Sequence, residues 1–161
     1  MADIKNVQIE RTFDAPIDLI WAMWTEAEHF AKWYGPVGAR IPTADMDVRV
    51  GGHRHIAMEM ETPGGLMQMF FVGEYREIVE KTRLVYTESM ADADGNPVTA
   101  EQMGMPVGTP METSIEVEFE DLGDRTRMTM THFGVPADSP GGQGWAMAIG
   151  KLEARVTEVR G

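Results

Sequence analysis

From Val37 to Phe133 the chain is a succession of extended segments cut by glycine and proline, and this narrows the fold to an antiparallel meander. The segments run from Val37 to Val50, Arg54 to Glu61, Met67 to Ile78, Leu84 to Met90, Thr113 to Glu120 and Thr126 to Phe133. Gly51-Gly52, Pro63-Gly64-Gly65 and Gly123-Asp124 separate several of them, and these residues turn the chain by backbone geometry rather than by polarity alone. Strands joined by such short connections pair antiparallel, because a parallel pair needs a crossover of about a dozen residues or more. The wider gap from Ala91 to Pro110 carries Gly95, Pro97, Gly104, Pro106, Gly108 and Pro110. It predicts an irregular, mobile loop, a disordered insertion or a lid beside whatever the sheet encloses.

Both flanks supply elements to cover that sheet. Residues from about Ile4 to Phe13 read as a first strand. Pro16 suits the first turn of a helix, where its missing N–H has no partner to lose, and Asp14 or Ala15 is the expected cap. Ile17, Ile20, Trp21 and Trp24 then follow helical spacing. Thr25 with Glu28 forms a capping-box pattern that restarts a short second helix through Phe30 and Trp33, and the chain turns at Gly35-Pro36. From Gly144 to Val159, Trp145, Ile149, Leu152 and Val156 line one face of a longer amphipathic helix. A sheet with one apolar face needs such a cover. The expectation is an α+β fold in one domain over 1–161: an antiparallel curved sheet of about seven strands around a long C-terminal helix, with two short helices after strand one.

Composition limits the partners. A net charge of -12 repels phosphate backbones and anionic lipid at long range, so nucleic acid is not expected. No apolar run is long enough to span a membrane, and the polar start has no signal-peptide character. A chain with 0 cysteines has no thiolate chemistry and fits a reducing, cytoplasmic setting. The 14 methionines are adaptable apolar filler, suited to an irregular core or to the wall of a cavity.

Alternation along the Arg54 segment places Arg54, Ile56, Met58 and Met60 on one side and His53, His55, Glu59 and Glu61 on the other. The methionine side must face inward and carries Arg54 with it. Two readings are open there: an internal ion pair with Glu77 or Glu88, or an anchor for a ligand carboxylate, phosphate or enolate. His53-x-His55 has a spacing that a metal could use, but no third ligand follows, so no metal is expected. His132 shares its face with Thr126, Met128 and Met130 and is either a neutral histidine held by a backbone carbonyl or a ligand contact or base. Tyr75 lies on the face of Met69 and Phe71 and brings a polar tip inward. Among the aromatics, Trp33 and Trp145 are expected near a cavity mouth, Trp24 deeper, and Trp21 in plain packing.

Phe13-x-Ala15-Pro16, Trp21 through Thr25, Trp33-Tyr34-Gly35-Pro36, Val50-Gly51-Gly52, Gly73-x-Tyr75-x-Glu77-Ile78, Leu84-Val85-Tyr86-Thr87, Thr126-Arg127-Met128-Thr129 and Gly144-Trp145 together resemble one family. It is that of the homologues of the activator of the heat-shock-protein-90 ATPase, within the START-related, birch-pollen-allergen-like superfamily of helix-grip folds. The resemblance covers essentially the whole chain. It implies a helix-grip domain with space between sheet and long helix, and it spans carriers, receptors and cyclases. Nothing corresponds to the separate N-terminal region that eukaryotic activators use on their chaperone, so chaperone regulation is not expected.

The expected function is therefore binding of a small hydrophobic, aromatic or lipid-like molecule in an internal cavity lined by Trp24, Trp33, Arg54, Met58, Met69, Phe71, Tyr75, His132 and Trp145, with no cofactor. One alternative is a cyclase or dehydratase on a polyketide-like compound, with His132 or Glu77 as base and Arg54 or Tyr75 stabilising an enolate. Another is a protein-interaction or chaperone-associated module that binds a client or chaperone through the acidic outer sheet, and a homodimer is left open. The G-x-S-x-G, phosphate-loop, H-E-x-x-H and dinucleotide signatures are all missing from the sequence.

Overall fold

The structure, a computed structural model, describes residues 6–104, 106–107 and 111–160. Strand β1 (Asn6–Phe13) leads into helices α1 (Ile17–Thr25) and α2 (Ala27–Trp33). The meander follows as β2 (Arg40–Met46), β3 (His53–Thr62), β4 (Gly65–Val79), β5 (Arg83–Ala91), β6 (Glu112–Asp121) and β7 (Thr126–Pro136), and the chain ends in α3 (Pro140–Arg160). All pairs are antiparallel, in the order β1-β7-β6-β5-β4-β3-β2. The predicted α+β architecture is the observed one, and it has the seven strands, the paired short helices and the long final helix expected from the sequence.

The register follows from the apolar pattern, because a slip by one residue would turn each strand's inner side chains outward. Ile56, Tyr75, Tyr86, Ile115, Val117, Met128 and Met130 all enter one core with Trp24, Phe30 and Trp33 of the short helices and Trp145, Ile149, Leu152 and Val156 of α3. At the middle of the sheet β4 and β5 approach closely. A Cβ on Gly73 would lie 1.8 Å from the Thr87 carbonyl oxygen, so only glycine fits there. The pairing shifts register between Tyr75 and Glu77, just beyond this contact.

Helix ends depart from the sequence reading. Pro16 itself, in extended backbone, is the cap of α1, and its carbonyl accepts from Leu19 and Ile20 N–H. Asp14 and Ala15 therefore lie outside the helix. The Thr25 capping box does not form: its hydroxyl donates back to the Trp21 carbonyl over 2.8 Å, and Glu26 caps α2 without a side-chain bond. At the other end α3 starts four residues before Gly144, with the Ser139 hydroxyl accepting from the Gly142 N–H. That start was written in the sequence as serine followed by proline, since proline is favoured at the first helical position. Among the described residues no helix is long and apolar enough to cross a membrane.

Candidate functional site

The inner ends of β3, β4 and β5 and the residues after α2 meet at a buried polar cluster. Alternation does place Arg54 inward, where it is 2% exposed. Its Nε donates to the Tyr75 hydroxyl over 3.3 Å, and its guanidinium lies 3.8 Å from the centre of the Tyr86 ring, with the rings of Phe30 and Tyr75 at 5.3 and 5.6 Å. The carboxylate facing it is Glu88, whose Oε2 is 3.9 Å from an Arg54 terminal nitrogen. That distance gives charge attraction but no hydrogen bond. Glu88 instead accepts a hydrogen bond of 2.9 Å from the Tyr34 hydroxyl.

Burial sets the protonation of this cluster. It raises the Glu88 carboxyl above the usual carboxylate range, with Arg54 and the Tyr34 hydrogen bond pulling it back down. It raises the phenols of Tyr34 and Tyr86 as well, Tyr34 further through the Glu88 charge. Burial opposes the charge on Arg54, but the surrounding phenols and Glu88 outweigh it and the guanidinium stays protonated.

His132 forms a second buried element beneath α3. Its Nδ1 accepts from the Trp145 indole N–H over 2.8 Å, and its Nε2 is 2.7 Å from the Thr113 hydroxyl, which donates to the Glu88 carbonyl over 3.1 Å. Burial lowers its pKa to about 4. It is held neutral, through Trp145 and Thr113 rather than directly by a carbonyl, and neither ring nitrogen is free to act as a base.

The remaining predicted residues divide by depth. Trp24, Trp33, Met58, Tyr75 and Trp145 are buried, while Met69 and Phe71 are half-buried and pack against the core from its edge. Trp33 is not at a mouth: it is 0% exposed and its indole donates to the Met23 carbonyl over 2.9 Å. Trp24 stacks on Trp145 at 6.1 Å and meets Trp33 edge-on at 4.8 Å. These rings occupy the space between α3 and the sheet. Among the described residues two open concavities lie elsewhere: one of about 370 Å³ at Lys32, Lys151, Ala154, Arg155 and Glu158, and one of about 390 Å³ around Phe13, Glu153 and Arg160.

Two further expectations are corrected. Glu77 is on the outer face, 48% exposed and paired with Arg83 at 3.2 Å, so it is neither the partner of Arg54 nor an interior base. The register shift after Tyr75 turns it out. The loop after Ala91 has local order: Asp92 accepts from the N–H groups of Asp94 and Asn96, Ala91 bridges Pro97, and a 3-10 turn spans Glu101–Met103. Gly95 approaches His55 on the outer face, away from the Arg54 cluster, which counts against a gating role; residues 105 and 108–110 lie outside the described residues. His55 stacks obliquely on Phe70, and among the described residues no group of three or more potential metal ligands forms.

Tyr34 and Tyr86, and Glu88 as a member of the site rather than a structural partner, were missed as site residues. β5 is buried on both faces from Leu84 to Ser89, so no alternation marks Glu88 as inward. The usable signal was a carboxylate two residues beyond the apolar run Leu84-Val85-Tyr86, on the same side of the strand as Tyr86.

The sequence pattern of the family described as "Activator of Hsp90 ATPase homolog 1-like protein" matches residues 14–157. No match was found among curated proteins. Among solved structures, a protein from Arthrobacter aurescens shares 26% identity at a TM-score of 0.72, over 98% of this chain and 90% of its own. A Chromobacterium violaceum protein shares 22% at 0.75, over 94% and 96%. The AHSA1 protein from Silicibacter pomeroyi shares 18% at 0.70, over 94% and 97%.

Proposed function

The chain belongs to the family of activator of Hsp90 ATPase homologue 1-like proteins, and from that premise we propose that it binds a small apolar or amphipathic molecule between α3 and the sheet, its polar end held at Arg54. The reading is carried by one observation. Arg54 is a buried cation in an aromatic cage whose facing carboxylate stands at 3.9 Å and accepts its short hydrogen bond from Tyr34 instead. A guanidinium presents five N–H donors, and a buried charge this loosely matched is suited to receive an oxygen-rich group.

Apolar surroundings with a few convergent polar groups are how small-molecule sites are usually built. The ligand enters by displacing side chains rather than by filling a standing void. Met58, Met69 and Phe71 are the groups to move, since Met58 and Met69 have flexible stems and Met69 and Phe71 are only partly buried. The cyclase or dehydratase reading has lost both bases named for it, His132 to its two hydrogen bonds and Glu77 to the outer face.

Native mass spectrometry of protein isolated from its own cells, followed by extraction, tests the proposal. A bound compound with an apolar body and a polar end is expected, and Arg54→Met should abolish its retention. Equal retention by Arg54→Met would refute the anchor.

A further inference from the structure

Resting on the reading that the interior binds a ligand, we propose that an anionic ligand enters together with one proton, which Glu88 accepts as the ligand's oxyanion takes its place beside Arg54. In the free protein the cluster is neutral overall, one guanidinium against one carboxylate, both buried. Adding a second carboxylate leaves two negative charges around one positive charge in an interior where water cannot screen them. Two carboxylates sharing a site do not both stay ionised, and one of them takes a proton.

Geometry selects Glu88 as the group that yields. It makes no hydrogen bond to Arg54, so losing that neighbour breaks no bond, while the bond from Tyr34 to Oε2 survives protonation at Oε1. The balance is simple: ligand anion, plus one proton from solvent, gives bound anion at Arg54 and a neutral Glu88 carboxyl with a new O–H bond. Burial already favours the neutral carboxyl.

The other groups around Glu88 do not compete for the proton. Tyr34, at the end of α2, and Tyr86, on β5, are phenols raised by burial and are already protonated. Tyr75 on β4 lies against the guanidinium. His132 on β7 reaches Glu88 only through Thr113 of β6 and titrates at about 4. Lys151 of α3 donates to the Tyr34 and Pro36 carbonyls, outside the cage.

The test is calorimetric titration of the full chain with benzoate and octanoate, and with the neutral twins benzamide and octanamide, between pH 7 and 8.5 in two buffers of different ionisation enthalpy. The acids should bind with uptake of about one proton and weaken about tenfold per pH unit, the linkage expected for one proton, while the amides bind independently of pH. Glu88→Gln, which mimics the protonated side chain, should bind the acids without proton uptake. Acids that bind with no proton exchange, or amides that bind where acids do not, overturn the proposal and leave the binding reading standing. Failure of all four compounds removes the binding reading, and this proposal with it. The wild-type measurement decides the matter if Glu88→Gln does not fold.

Discussion

Trp145 donates its indole N–H to Nδ1 of His132 across the contact between α3 and the sheet. An indole nitrogen only donates, so Nδ1 must accept and the neutral ring carries its proton on Nε2, facing the Thr113 hydroxyl. Thr113 passes its own proton toward the Glu88 carbonyl. The direction of every bond in this chain is set by its first member, and protonating Nδ1 would set two donors against each other. A helix contact thus fixes the charge state of a strand residue.

Acid stability should report this lock. Burial holds the folded pKa of His132 at about 4, below the ordinary imidazole value of 6.5. A depressed histidine contributes stability that is complete above the unfolded pKa and is lost as pH falls from about 6.5 toward 4, because the unfolded chain binds the proton first. The gap corresponds to about 3 kcal/mol. Glu88 acts with the opposite sign, since its raised pKa makes its contribution more favourable as pH falls. Urea unfolding at pH 7, 5.5 and 4.5 should show a steeper acid loss in the wild type than in His132→Asn, and parallel curves would disprove the lock.

Arg54→Met should destabilise the fold by about 3 to 5 kcal/mol, because it strands the Glu88 carboxylate in the interior. Adding Glu88→Gln removes the stranded charge, and the double variant should recover most of the loss. Denaturation of the two single variants and the double variant gives the coupling directly. Additive losses would mean that the 3.9 Å pair carries no mutual stabilisation.

Strand alternation made half of this pair legible. In β3 Arg54 shares its two-residue period with Ile56, Met58 and Met60, so it could be placed inward without a structure, as could Tyr75 in β4 and His132 in β7. β5 gives no such pattern, being covered on both faces, and the Tyr34 that holds Glu88 is 54 residues away in sequence. Glu77 was misplaced for a related reason: a register shift breaks the two-residue period just after Tyr75. The fold was easier to read than the site because turn chemistry is local, whereas the partners of a buried charge are chosen across the sheet.

Glycines in two settings should respond oppositely to alanine. Gly73→Ala drives a methyl group into the Thr87 carbonyl, a backbone atom that cannot swing aside, and should cost at least about 2 kcal/mol. Gly144→Ala and Gly150→Ala lie in α3 with nothing within 4 Å of the added carbon, and each should stabilise by about 0.5 to 1 kcal/mol through helix propensity. Thermal unfolding of the three variants checks the contrast, and a neutral Gly73→Ala would mean that β4 and β5 are farther apart than described.

Tyr75 and Tyr86 look equivalent, two buried phenols packed on one guanidinium, yet their hydroxyls differ. The Tyr75 oxygen accepts from Arg54 Nε, whereas the Tyr86 oxygen is buried with no hydrogen-bond partner among the described residues. Removing a bonded hydroxyl leaves the donor unmatched, while removing an orphan one relieves a desolvation cost. Tyr75→Phe should therefore lose about 1 to 2 kcal/mol, and Tyr86→Phe should be neutral or gain up to about 1 kcal/mol, its ring still lying beneath Arg54 at 3.8 Å. Urea midpoints of the two variants give the comparison. If Tyr86→Phe proves as costly as Tyr75→Phe, the hydroxyl has a bound partner such as a buried water. If it is harmless to the fold but weakens retention of the copurified ligand, that hydroxyl is a contact of the ligand's polar end.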